Sequence, residues 1–130
     1  MKLLLSGEMS IMQINKSFQK HFPYLKLEFY SSDPVPGQIS FWSDRLDENT
    51  RLNKVVKNMI SIAIEFEPSN TIIELEQKFR SAAGLFVKVC RNINGVWHEI
   101  PQSVPVELSR QNALGNQLLK YSYNKHTLFL

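Results

Sequence analysis

At 130 residues, with 43% hydrophobic and 21% charged side chains, the chain has the size and composition of one folded domain, which excludes disorder, collagen-like repeats and low complexity. The 15 Lys and Arg against 12 Asp and Glu leave a net charge of +3, which permits nucleic acid without implying it. A single cysteine, Cys90, excludes an intramolecular disulfide and a multi-cysteine zinc site and points to a reducing compartment, the cytoplasm.

The first segment, Met1-Lys2-Leu3-Leu4-Leu5, is too short an apolar run for a signal peptide, and Glu8 interrupts it. No apolar run approaches the roughly 20 residues that cross a bilayer, so the expectation is a soluble protein with no membrane association. Leu3 and Leu5 alternate as a strand does. Ser10-Ile11-Met12-Gln13 then has the form of a capping box, followed by Ile11, Ile14 and Phe18 at helical spacing, with His21-Phe22-Pro23 as the stop. Leu25, Leu27 and Phe29 alternate again as a strand.

The connection 31–58 carries turn chemistry in Asp33-Pro34-Val35-Pro36-Gly37, a short strand expected over Ile39 to Trp42, and a charged stretch from Asp44 to Lys57 with weak helical character. A third strand follows in Ile62, Ile64 and Phe66. Thr71-Ile72-Ile73-Glu74 repeats the capping box, Ile72, Leu75 and Phe79 repeat the apolar stripe, and Gly84 supplies a left-handed stop. Val87 and Val89 form a fourth strand, and Asn94-Gly95 signals a hairpin into a fifth, from about Val96 to Ile100. Pro101 and Pro105 break the pattern before a third helix over Glu107 to Tyr121, with Leu108, Leu114, Leu118 and Tyr121 as its apolar positions. Gly115 inside that helix predicts close packing or a break, because glycine there costs about 1 kcal/mol against alanine. A tail strand is expected over Thr127 to Leu130.

The two capped helices match at a constant offset: Thr71, Ile72, Leu75 and Phe79 stand 61 residues after Ser10, Ile11, Ile14 and Phe18, as 71 minus 10 shows. That constancy predicts a structural repeat. The expected fold is one α+β domain over 1–130, built from two β-α-β units at about 1–30 and 61–91 with a C-terminal extension at 96–130. Short crossovers of this kind make right-handed parallel connections, so the units are expected to share the sheet of a ferredoxin-like sandwich, with an added hairpin strand and helix. The sheet's second face would carry Lys26, Glu28 and Tyr30, then Ala63, Glu65 and Glu67, then Phe86, Lys88 and Cys90, a mixture expected to be solvated or used for contact.

Phe22-Pro23-Tyr24-Leu25-Lys26-Leu27-Glu28-Phe29, the segment Thr71 to Arg80, Gly84-Leu85, Gly95-Val96-Trp97 and Gln111-Asn112 followed by Gly115 together resemble a small family of uncharacterised conserved bacterial proteins. The resemblance covers most of the chain. It departs at Val106, where the family pattern has a tryptophan, and after the second strand, where a Pro-rich stretch replaces a basic Gly-rich one. The resemblance implies no activity.

No GxGxxG, P-loop, GxSxG or HExxH occurs, and His21, His98 and His126 stand at no metal-ligand spacing, so no cofactor or metal is expected. Cys90 and His98 would approach across the hairpin only in a favourable register, and an unremarkable half-exposed cysteine is the simpler expectation. From Arg110 onward the chain is basic without acids and carries Tyr121, Tyr123 and Phe129 near Lys120, a combination suited to stacking on single-stranded nucleic acid. The favoured expectation is a noncatalytic protein-interaction or assembly module, with a protein partner or a second copy of itself. Its interaction surface would draw on Tyr30, Trp42, Phe86, Lys88, Trp97, Arg110, Lys120, Tyr121, Tyr123 and Phe129. Single-strand binding through the basic C-terminal segment and a small enzyme with an unrecognised site are the alternatives.

Overall fold

The structure, a computed structural model, describes residues 1–31, 45–101 and 103–115. In chain order it contains β1 (Lys2–Leu5), α1 (Ile11–Phe18), β2 (Leu25–Tyr30), a 3-10 turn (Leu52–Lys54), β3 (Ile62–Glu65), α2 (Ile72–Ala83), β4 (Phe86–Ile93) and β5 (Val96–Glu99). Residues 108–115 form the described part of a third helix, α3.

Both capping boxes form. Ser10 Oγ accepts from the Gln13 amide while the Gln13 side chain accepts from the Ser10 amide, and Thr71 and Glu74 make the same reciprocal pair. Each satisfies two backbone N–H groups that an α-helix leaves orphaned at its start. The Thr71 backbone amide, and then its hydroxyl, hold the Glu74 carboxyl below its ordinary value. A depressed carboxyl of this kind favours the fold at neutral pH, and the contribution is lost as pH falls through the carboxylate range. Gly84 ends α2 at φ 65°, in the left-handed region where a side chain is strained. The inward stripes Ile11, Ile14 and Phe18 on α1 and Ile72, Leu75 and Phe79 on α2 are almost wholly buried in one core with Leu3, Leu5, Leu25, Leu27, Phe29, Ile64, Phe66, Val87 and Val89.

The strands do not pair as expected. β1 pairs antiparallel with β3, and β2 pairs antiparallel with β4, to which β5 adds as a hairpin, giving a two-stranded and a three-stranded sheet. The parallel crossovers and the shared ferredoxin-like sheet are therefore replaced by two antiparallel sheets, with the strands that flank each helix in different sheets. Like strand pairs with like strand. The offset of 61 that relates the helices carries Leu3 to Ile64, the residue it faces, and an offset of 62 carries Leu27 to Val89, which it also faces. The two β-α-β units are thus arranged about an approximate two-fold axis running through both strand pairs. Each helix packs against the strand before it and the strand after it, and so bridges the two sheets.

The second edge of β2 is covered. There the Asn15 side chain donates from Nδ2 to the Leu27 carbonyl at 2.9 Å and accepts the Leu27 amide on Oδ1 at 2.7 Å, taking both groups that a neighbouring strand would use. Further along the same edge the Leu46 amide donates to the Phe29 carbonyl at 2.8 Å. A helix side chain and a loop thus take the hydrogen-bonding groups along that edge.

The hairpin forms as expected, with Asn94 and Gly95 both at positive φ. In α3 the expectation is met only in part. Leu108 is fully buried, but Leu114 is half-buried, and the other buried positions are Gln111 and Gly115; Leu118 and Tyr121 lie outside the described residues. α3 docks through polar contacts: Asn112 Oδ1 accepts the Tyr24 amide at 2.7 Å, and Gln111 Oε1 accepts from Arg91. A Cβ on Gly115 would sit 2.8 Å from Tyr24 Cβ, so the close packing expected there is present. The Gln-Asn pair and the glycine after it are the residues that fasten α3 to the ends of β2 and β4.

Two stability predictions follow from these contacts. Asn15→Ala leaves the Leu27 amide and carbonyl without partners at a partly buried edge, and is expected to cost about 2–4 kcal/mol in urea unfolding at unchanged m-value, against less than about 0.5 kcal/mol for exposed Lys16→Ala. Gly115→Ala would stabilise an unconstrained helix by about 1 kcal/mol, but the Tyr24 contact is expected to reverse the sign and give a net loss of about 1–3 kcal/mol.

Candidate functional site

The outer face of the three-stranded sheet is set by alternation. Lys26, Glu28 and Tyr30 of β2, Lys88 and Cys90 of β4, and Trp97 and Glu99 of β5 share one side, because the register places Lys26 opposite Cys90 and Cys90 opposite Glu99. This face was expected to be solvated or used for contact, with Cys90 half-exposed. Instead Tyr30, Lys88 and Cys90 are buried, at 5%, 4% and 4% exposure, and the face is bound together by polar contacts. Tyr30 Oη donates to Glu99 Oε1 at 3.2 Å across β4. Glu28 Oε1 lies 3.1 Å from Lys26 Nζ and 3.3 Å from Arg45 Nη1. Lys26 Nζ also lies 5.2 Å from the centre of the Trp97 ring, within range of a cation–π attraction. At the other end of the sheet, Arg80 lies over the Phe86 ring at 5.3 Å.

Cys90 sits beneath this network. Burial, and then the neighbouring Glu28 and Glu99 carboxylates, push its thiol up to about 12 against the opposing influence of Lys26 and Arg45. A thiol in that state is mostly protonated at neutral pH, which lowers its reactivity as a nucleophile. His98 is exposed and stands opposite Arg91, so it alternates onto the other face of the hairpin and forms no pair with Cys90. Among the described residues no group of three or more His, Cys, Asp or Glu side chains is arranged to hold a metal ion.

Beside this face, along the sealed edge of β2, lies a cleft of about 670 Å³. Its walls are the outward side of α1, the segment Arg45 to Glu48, and Lys26, Glu28 and Trp97 from the sheet. The cleft keeps its shape because its walls are tied together. The Met12 amide donates to the Glu48 carbonyl at 2.8 Å and the Ile11 amide to the Thr50 carbonyl at 3.0 Å, anchoring the loop to the start of α1, while Asn15 joins α1 to β2. A second, shallower groove of about 440 Å³ lies between β3 and α2, lined by Ala63, Ile64 and Glu65 on the strand and Glu74, Gln77, Lys78, Ser81 and Ala82 on the helix.

Of the expected interaction residues, the structure gathers Tyr30, Phe86, Lys88 and Trp97 on one sheet face. Arg110 is exposed on α3. Trp42, Lys120, Tyr121, Tyr123 and Phe129 lie outside the described residues. The sequence reading passed over Asn15, Lys26, Glu28 and Arg45 as site residues. An asparagine immediately after the inward Ile14 in an otherwise amphipathic helix was the available signal, since such a residue beside the apolar stripe needs a partner.

No family model, curated protein or solved structure matches the chain. Among the described residues no helix is long and apolar enough to cross a membrane.

The state of Cys90 gives a direct check. The native protein at pH 8 is expected to react with a small disulfide reagent at least about a hundredfold more slowly than the urea-unfolded chain, whose thiol returns to an ordinary value near 8.5. Equal rates in the two states would mean that the face over Cys90 is open.

Proposed function

We propose that this chain is a noncatalytic protein-interaction module whose binding site is the cleft between α1 and β2 and the adjoining Trp97 and Lys26. The observation that carries this reading is the composition of the cleft: a volume within the range of ligand sites, an aromatic ring at its rim, and charged side chains of both signs on walls fixed by backbone hydrogen bonds. Preformed walls lower the ordering cost of binding. The reactive groups nearby support binding rather than bond-making, since the Cys90 thiol is held protonated under the network and His98 faces the other way.

The test is a random-peptide display selection on the immobilised full chain, with Trp97→Ala and Lys26→Ala variants as comparison and urea midpoints as the check on folding. Selected peptides are expected to lose about tenfold or more in affinity on either variant, equivalent to about 1.4 kcal/mol. Failure to select any peptide, or selection only of peptides indifferent to both substitutions, would overturn the reading.

A further inference from the structure

The two sheets differ at their edges. The second edge of β2 is closed by Asn15 and Leu46, whereas β3 has β1 on one side and no strand on the other. The Phe66 amide donates to the Met1 carbonyl at 3.0 Å, and the same register pairs Leu3 with Ile64 and Leu4 with Ala63. Bonded and non-bonded pairs alternate along an antiparallel ladder, so Leu3 and Ile64 bond to each other while the N–H and C=O groups of Ala63 and Glu65 point away from β1. Among the described residues no hydrogen bond uses those outward groups, and both residues are exposed. The open edge forms one wall of the groove of about 440 Å³ whose other wall is α2, from Glu74 to Ala82. Unpaired backbone groups along a groove are the template on which an extended chain adds as a further strand.

The geometry points to a second binding site, independent of the cleft: the open edge of β3 takes up an extended peptide segment as an added antiparallel strand, with a basic residue paired to Glu65 and an apolar residue next to it facing α2. Strand alternation assigns those two positions. The residue across from Ile64 shares the face of that buried side chain, the face on which α2 packs, and meets apolar surface there. The residue paired to Glu65 lies on the outer face beside its carboxylate. The charged residues lining the groove are two acids, Glu65 and Glu74, and one base, Lys78, so a basic side chain is the complementary one. Lys2 Nζ contacts Glu65 Oε1 at 3.6 Å from the β1 side, with both side chains mostly exposed, so that pair is weakly held and leaves the carboxylate accessible. A second copy of the chain fits the edge less well, since its own α2 flanks its β3 and would be carried into the same space. A lone extended segment brings no helix with it.

The experiment titrates the isotope-labelled full chain to millimolar concentration with the end-capped peptide Ser-Thr-Lys-Val-Thr-Ser. Amide hydrogen exchange at Ala63 and Glu65 is expected to slow about fivefold or more, while Ile62 and Ile64, already bonded to β1, stay as they were. Two modified peptides test the backbone pairing. N-methylation at the lysine, whose N–H meets Glu65, is expected to weaken binding about tenfold, and N-methylation at the valine, whose N–H points away from β3, to change it less than about twofold. Glu65→Lys, at an exposed position outside the core, is expected to reverse the preference between this peptide and one with Glu in place of its Lys. Unchanged exchange at Ala63 and Glu65, equal effects of the two methylations, or no effect of Glu65→Lys would each overturn the proposal. Slowing at these amides that depends on protein concentration without peptide would overturn it too, in favour of a second copy on the edge. None of these outcomes bears on the cleft, which the display selection tests separately.

Discussion

The side chain of Asn15 closes one edge of β2. By donating to and accepting from the same residue of β2, it does for Leu27 what an adjacent strand would do, at 2.9 and 2.7 Å, from a position on α1 just beside the buried stripe. A β-α-β unit with a short helix ordinarily brings its second strand into the same sheet as the first. Here β1 and β2 lie in different sheets, each paired with its counterpart in the other half, and the edge of β2 is satisfied by Asn15. The helix then spans the gap between sheets rather than covering one sheet's face.

The second half uses different chemistry at the matching position. The residue 61 positions after Asn15 is Glu76, which is buried at 6% exposure where Asn15 is half-buried, and stands 3.9 Å from Lys88 of β4. A neutral amide against backbone in one half is thus matched by a carboxylate beside an ammonium in the other. Burying charges costs more than burying an amide, and such a pair is retained where geometry fixes it rather than because it adds much stability. The helices differ too, α2 running to Ala83 through 12 residues where α1 has 8. The repeat is one of architecture, and its two copies have separate local energetics.

Much of this was legible in the sequence. Ser10 with Gln13 and Thr71 with Glu74 mark the helix starts because a capping box is a local device, and Asn94-Gly95 marks the hairpin for the same reason. The stripes and the alternating strands told which side chains go inside, and the constant offset revealed the repeat. What period-two alternation does not carry is the identity of a strand's neighbour, and that depended on one long-range side-chain contact, from Asn15 to Leu27. The burial of Tyr30, Lys88 and Cys90 on the outer sheet face was not legible, because Lys26, Glu28 and Lys88 look like solvated residues one at a time. Only the register, which sets Tyr30 within reach of Glu99 and Lys26 within reach of Trp97, joins Lys26 and Glu28 into a network beside Cys90. In α3, Gln111 and Gly115 took buried positions that an apolar pattern assigns to leucine, since that interface is made of hydrogen bonds and close backbone approach.

The pairing of like strands also sets which residues meet at the cleft. β5 follows β4 and belongs to the second half, yet the antiparallel match of β2 with β4 lays it across the sheet from the first half's residues. Trp97 and Glu99 therefore meet Lys26 and Tyr30, and the site combines floor and rim residues that lie far apart in the chain. The Asn15 contact also holds the wall of the cleft that results.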